Sequence, residues 1–167
     1  MNIMQKNRGQ IYPLFSKVVY GNIIDDLNFK KIVKNINDDF IDAGHHTKSD
    51  VSNISMASQN KNVYFIDHFF KTKTKLWADM RICRWLPGDA MSLHNDRSEK
   101  LNDLMDFSSL IYLNDNYEGG ELFFKDKIIK MKALSCIVFQ SNEKNMHGVL
   151  EIKKGKRYTI PSWYQFN

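Results

Sequence analysis

The chain's 167 residues suit a single domain with one core. Hydrophobic residues at 43% and charged residues at 26% exclude a disordered or fibrous chain. A formal net charge of +5 would suit an acidic partner, but the lysines are scattered, as in Lys71 to Lys75 and Lys153 to Arg157. They are read as solvated surface, so nucleic acid is not the favoured partner.

Met1 to Gln10 lacks the apolar core of a signal peptide. No apolar run approaches the roughly 20 residues that cross a bilayer, so no membrane contact is expected. Cys83 and Cys136 lie far apart on predicted strands and read as reduced, packed thiols of a cytoplasmic protein.

Phe15 to Tyr20 predicts a short strand. Leu27, Phe29, Ile32, Val33, Ile36, Phe40 and Ile41 recur at helical spacing and predict an amphipathic helix over Asp25 to Ala43. Asn22 or Asp25 would cap it and Gly44 would end it. His45 and His46 follow the expected helix end and read as surface residues; His68, among Phe65, Ile66, Phe69 and Phe70, reads as packed or surface. Ser49 to Asn62 has little periodicity and is expected to be loop or weak helix. Residues 1–62 thus form a supporting segment, and 63–167 the core of the same domain.

Strand signals dominate the core. Met80 to Trp85 alternates and meets a turn at Pro87-Gly88-Asp89. Phe107 to Leu113 is apolar and partly β-branched, and Asn114 to Asn116 turns the chain. Glu121 to Phe124 and Lys127 to Met131 predict a hairpin about Lys125-Asp126. Leu134 to Gln140, Met146 to Ile152 and Arg157 to Trp163 complete a series of short strands. The class is mainly β with a flanking helix, as a sandwich or barrel.

His94-Asn95-Asp96 places a histidine and a carboxylate two residues apart, on one side of a strand. His147 lies on a later predicted strand. Two imidazoles and one carboxylate leave coordination positions open on a divalent metal, which suits an iron that must also bind substrate and O2. Arg157 follows in the next strand, and its planar fork can pair a buried carboxylate.

These residues together resemble the Fe(II)/2-oxoglutarate oxygenase signature in its prolyl 4-hydroxylase-like branch. Trp85-Leu86-Pro87-Gly88, Tyr112-Leu113-Asn114, Gly119-Gly120-Glu121, His147-Gly148-Val149 and Arg157-Tyr158 through Trp163 are similar to the branch's elements, in order, over Met80 to Tyr164. The resemblance implies a double-stranded β-helix, or jelly roll. It implies Fe(II) on His94, Asp96 and His147, with 2-oxoglutarate and O2 as co-substrates and ascorbate as a reductant. Arg157 and Tyr112 would hold the distal carboxylate of 2-oxoglutarate, with Val149 and Leu122 packed against it. Trp163, Trp85 and Met91 would face the substrate.

The implied reaction decarboxylates 2-oxoglutarate to succinate and CO2 and hydroxylates a peptidyl residue, with proline first. Met91 stands where the branch has a second tyrosine, Met105 where it has a substrate-contacting arginine, and Pro161 where it has a threonine. Pro161, which cannot donate to a ladder, predicts an edge or bulge. Ser49 to Lys75 could fold over a peptide as a lid. The same chemistry on a free amino acid, small metabolite or nucleobase stays open, as does a cupin-like jelly roll that binds metal without turnover.

Overall fold

The computed structural model describes residues 15–19, 41–45, 47–50, 73–76, 82–97, 105–133 and 135–167. In chain order the described strands are β1 (Phe15–Val19), β2 (Ile41–His45), β3 (Thr47–Asp50), β4 (Thr74–Leu76), β5 (Ile82–Trp85), β6 (Met91–His94) and β7 (Phe107–Tyr112). There follow β8 (Glu118–Gly119), β9 (Leu122–Phe124), β10 (Ile128–Ile129), β11 (Ser135–Gln140), β12 (His147–Val149), β13 (Ile152–Lys154) and β14 (Arg157–Phe166).

The large sheet runs β1-β11-β7-β14-β5-β3-β2, with β4 joining β14 beyond the end of β5. The small sheet runs β10-β9-β12-β6, and β8 pairs with β13 as a ribbon. From β5 onward the principal strands alternate between the sheets: β5, β7, β11 and β14 in the large one, β6, β9 and β12 in the small one. That alternation is the winding of a jelly roll, and it encloses an interior between the two sheets.

The register shows which side chains enter that interior. Trp163, Ser108 and Phe139 align across β14, β7 and β11, as do Pro161, Leu110 and Ile137, and Thr159, Tyr112 and Ser135. Directly opposite residues share a face. Tyr112, Ile137 and Phe139 pack against Leu122 and Phe124 of the small sheet and against Met131. Cys83 and Trp85 extend the interior toward Val149 and Ile152. The other face of the large sheet is buried too, with Phe107, Ile111, Val138, Ile160 and Tyr164 all at 0% exposure. A strand covered on both sides needs apolar residues at nearly every position, which is why Ser135–Gln140 shows no polar alternation.

Three expectations need correction. Ile41–Ala43, assigned to the end of a helix, and Gly44, its expected stop, lie in β2; the rest of that helix lies outside the described residues. Ser49 and Asp50, expected in a loop, lie in β3. Lys48, Ser49 and Asp50 pair with Arg84, Cys83 and Ile82. The edge of β5 offers backbone partners there, and such pairing overrides a weak local preference. Of the stretch Ser49 to Lys75, the ends belong to β3 and β4, and residues 51–72, like His46 and His68, lie outside the described residues.

Pro161 is the third. It lies in a strand with partners on both sides, opposite Leu110 of β7. Leu113 N donates to Tyr158 O, so even-numbered residues of β14 aim their backbone at β7 and odd-numbered ones away. The Pro161 nitrogen therefore faces the other flank. There, among the described residues, the β5 pairing stops at Thr159 and the β4 pairing starts at Tyr164. The register with β7 runs past Pro161 without a bulge, and residues 77–81, between β4 and β5, lie outside the described residues.

The predicted strand Met146 to Ile152 is also divided. After β12, Leu150 N donates to Glu121 O and Gly120 N donates to Glu151 O, which carries the chain from the small sheet to the ribbon.

Candidate metal centre and carboxylate clamp

His94 ends β6 and His147 begins β12, and antiparallel pairing sets them directly opposite each other. Their ring centroids are 4.5 Å apart. Gly148 permits the close approach: a Cβ there would stand 2.5 Å from Met91 O and 2.5 Å from the Phe123 ring. Asp96 is not on the strand with His94; it lies in the bend after it, where Asn95 Oδ1 accepts from Arg97 N. The bend brings the carboxylate to both rings, with His94 Nε2 to Asp96 Oδ1 at 3.4 Å and His147 Nε2 to Asp96 Oδ2 at 3.6 Å. One ligand atom from each of the three residues falls within 4.8 Å of the others, spacing that a single ion can bridge.

Both rings are oriented the same way. His94 Nδ1 lies 3.0 Å from Ser92 O, and His147 Nδ1 lies 3.1 Å from Asn145 O. A carbonyl only accepts, so each Nδ1 carries the proton and each Nε2 offers its lone pair to the centre. The two histidines differ in surroundings. His147 is walled by Phe139 at 4.6 Å and Phe124 at 5.8 Å, whereas the His94 side chain is 32% exposed. The centre is thus dry behind His147 and opens past His94.

The charges agree with this layout. Burial pushes the Asp96 carboxyl up, but the hydrogen bond with His94, the charge of His147 and the Ser108 hydroxyl outweigh it and hold Asp96 below its usual range. Burial pushes His94 down, but Asp96 and the Ser92 carbonyl hold it above its ordinary value. For His147, burial wins over the pull of Asp96, and its pKa is lowered. An anionic carboxylate and one readily neutral imidazole are forms that a cation needs.

Deeper in the same interior lies Arg157, at 0% exposure. It pairs with Trp85 across β14 and β5, and its guanidinium stacks 4.9 Å from the Trp85 ring and 4.8 Å from the Tyr112 ring. Arg157 Nη2 donates to the Tyr112 hydroxyl at 3.0 Å. Its Nε and Nη1 are buried with no hydrogen-bond partner. Two unsatisfied N–H donors on a buried cation are costly unless an anion accepts from them. Nη1 and the second N–H of Nη2 form a fork that a carboxylate fits, which is the test that the distal end of 2-oxoglutarate has to pass.

The backbone is arranged around the clamp. Asn114 accepts from Tyr158 N and donates to Lys156 O, fixing the chain as it enters β14. Gly120 adopts φ +67°, and a Cβ there would overlap Ile152 Cδ1 and lie 3.1 Å from Arg157 Cδ. Leu122 and Val149 are buried opposite each other on β9 and β12, one inward step along from Phe124 and His147.

Trp163 is half-buried and aligned with Ser108, so it stands on the inner face at the metal end. Trp85, expected to face the substrate, lies against the Arg157 guanidinium, with its Nε1 donating to Thr159 Oγ1 at 3.3 Å. Met91, also expected there, packs against the cluster of Cys83, Trp85, Val149 and Ile152. Inspection of the sequence missed Ser108, whose hydroxyl donates to Asp96 Oδ2 at 2.5 Å, and Tyr117. Burial pushes the Tyr117 phenol up to about 12 against the pull of the Arg157 charge beside it. The available signal was polar: Ser108 and Ser109 interrupt an apolar strand, where every inward position needs a reason to be polar.

Comparison with known proteins agrees with this architecture. Residues 80–165, just over half of the chain, match the family described as the 2OG-Fe(II) oxygenase superfamily. Human prolyl 3-hydroxylase 2 is 39% identical over 66 residues, covering 35% of this chain and 9% of that protein, so the chain spans only a small part of that relative. A prolyl-4-hydroxylase from Pseudomonas putida is 16% identical, with a TM-score of 0.67 over 91% of this chain and 92% of that one. The viral collagen prolyl hydroxylase from Paramecium Bursaria Chlorella virus-1, in its 2OG complex, is 17% identical, with a TM-score of 0.64 over 95% of this chain and 97% of that one. At these identities the two structures show a shared fold. With the family match spanning both the histidine-aspartate centre and Arg157, the chain belongs to the 2OG-Fe(II) oxygenase superfamily, whose reactions use Fe(II), 2-oxoglutarate and O2.

Proposed function

We propose that the protein is an Fe(II)/2-oxoglutarate-dependent hydroxylase acting on a peptidyl residue, with proline as the first choice. The observation that carries this is the pairing of a three-residue metal centre with a fully buried arginine whose Nε and Nη1 lack acceptors in the same interior. A metal-binding jelly roll without turnover has no use for such a clamp.

In this assignment His94, Asp96 and His147 hold the iron, and Arg157 and Tyr112 hold the distal carboxylate of 2-oxoglutarate. Leu122 and Val149 pack along the co-substrate, and Trp163 faces the substrate at the open end. When Fe(II) is bound, one oxygen atom of O2 is carried into succinate with release of CO2, and the other enters a substrate C–H bond as a hydroxyl. The chain's own contribution is positional. The two Nδ1–H donors fix the rings, the clamp fixes the far end of the co-substrate, and the apolar wall of Phe124, Phe139 and Leu122 keeps water from the inner side.

Proline is supported by the names of the relatives, which are prolyl hydroxylases. Residues 1–167 are taken as one such domain, with 63–167 as its core. Cys83 and Cys136 are both buried free thiols, and the cytoplasm is proposed as the compartment. Among the described residues no helix is long and apolar enough to cross a membrane.

The test supplies Fe(II), ascorbate, 2-oxoglutarate and O2 with a panel of proline-containing peptides. Succinate release coupled to a peptide gaining one oxygen atom is expected, and hydrolysis followed by NMR of the hydroxyproline assigns the carbon. The His94→Ala variant should give neither product. Peptide-independent succinate release with every peptide unmodified would discard the prolyl substrate while keeping the chemistry.

A further inference from the structure

Asp96 is the one member of the centre that no strand holds. It lies in the bend beyond β6, so side-chain contacts must set the direction of its carboxylate. Ser108 on β7 donates to Asp96 Oδ2 at 2.5 Å. Ser141, just past β11, has its Oγ 2.7 Å from Ser108 Oγ. Both serines are buried, at 3% and 1% exposure, and Ser141 N donates to Asp106 O, which fixes its backbone beside β7. A hydroxyl has one proton. Because that of Ser108 goes to the carboxylate, Ser141 must be the donor between the two serines. The hydrogen bonds therefore run in one direction, from Ser141 through Ser108 to Asp96, and each strengthens the next.

We propose that Ser108, backed by Ser141, is a positioning residue that engages Asp96 Oδ2 and so leaves Oδ1 as the oxygen offered to the metal. The inference rests on the metal assignment proposed above. Oδ1 lies 3.4 Å from His94 Nε2 and Oδ2 lies 3.6 Å from His147 Nε2, so both oxygens reach the centre, and the hydrogen bond that Oδ2 accepts from Ser108 makes it the poorer ligand of the two. One carboxylate oxygen and two imidazoles would fill three positions of a six-coordinate ion. The remaining three suffice for a chelating keto acid and O2. A carboxylate free to rotate would bind through both oxygens and occupy a position that one of those needs. The large sheet would thus control, through a pair of hydroxyls, how many positions the small sheet's metal centre leaves open.

The test uses the whole chain and Co(II) as an anaerobic probe of both affinity and coordination. Ser108→Ala should weaken Co(II) binding about 10–100-fold, the usual effect of removing such a partner. It should also change the visible d–d bands, with the metal-free melting temperature kept within a few degrees of wild type. Ser108→Thr restores the hydroxyl and should return both the affinity and the bands. Ser141→Ala should lie between Ser108→Ala and wild type. Wild-type affinity and an unchanged spectrum in Ser108→Ala would overturn the proposal. So would a Ser108→Thr variant that melts normally yet behaves like Ser108→Ala. If the wild-type chain itself fails to bind Co(II), the metal assignment falls and this inference falls with it.

Discussion

Replacing Arg157 with leucine separates the cost of the clamp from its use. In the ligand-free protein, Nε and Nη1 are buried without partners, and each such group costs about 1–3 kcal/mol. Against this stand the stacking on Trp85 at 4.9 Å and Tyr112 at 4.8 Å, about 0.5–2 kcal/mol each, and the bond to the Tyr112 hydroxyl. The opposing contributions are of similar size, so Arg157→Leu should leave the metal-free, ligand-free protein within about 2 kcal/mol of wild type. That is a shift of no more than roughly 8 °C in melting temperature for a domain of this length.

With 2-oxoglutarate present the balance changes. Two charge-assisted hydrogen bonds at about 1.5–3 kcal/mol each are lost, some 3–6 kcal/mol, or about two to four decades of affinity. Thermal melts of the metal-free protein measure the first quantity, and melts of the Mn(II)-loaded protein across a 2-oxoglutarate titration measure the second, because bound ligand raises stability by RT ln(1 + [L]/Kd). Wild type should show a rising melting temperature, and Arg157→Leu a flat one over the same range with Mn(II) affinity retained. An Arg157→Leu protein that still stabilises with 2-oxoglutarate as wild type does would refute the clamp. One that collapses without ligand would show that the arginine is structural.

Asp96→Ala removes the centre's one anionic ligand and should abolish detectable Mn(II) binding by titration calorimetry; retained binding would reject the centre. Gly148→Ala places a methyl 2.5 Å from Met91 O, which must separate β6 from β12. A loss of about 1–3 kcal/mol is expected, together with weaker metal binding, and a melting temperature equal to wild type would contradict the close packing. Burial raises the pKa of Tyr112, Tyr117 and Tyr164 above the ordinary 10.0, Tyr117 to about 12. A raised pKa means that the folded state holds the proton more tightly. Stability is therefore complete below pH 10 and lost as pH rises through about 12. Tyrosinate absorbance should rise in two stages, the second together with unfolding; a single stage for all seven tyrosines with the fold intact would disprove this.

His94, Asp96, His147 and Arg157 were legible in the sequence because coordination and anion pairing demand particular side chains, whatever the path of the backbone. The strands of the core were legible as well from Phe107 onward, apart from β8, β13 and the division of Met146 to Ile152, since burial on the large sheet forces apolar runs punctuated by turn residues. Tertiary structure alone decided how those pieces meet. It set His94 opposite His147 through the β6–β12 register, and it took Asp96 off the strand into a bend governed by Ser108. It also set Trp85 against the Arg157 guanidinium, a contact that the sequence did not show. Thr47–Asp50 became a strand because β5 supplied an edge to pair with, Ile41–His45 because β3 then did, and Pro161 sits inside a paired strand because its nitrogen faces away from β7. The common reason is that backbone pairing between distant segments depends on which hydrogen-bonding edges the rest of the chain leaves open, and no local window of residues contains that information.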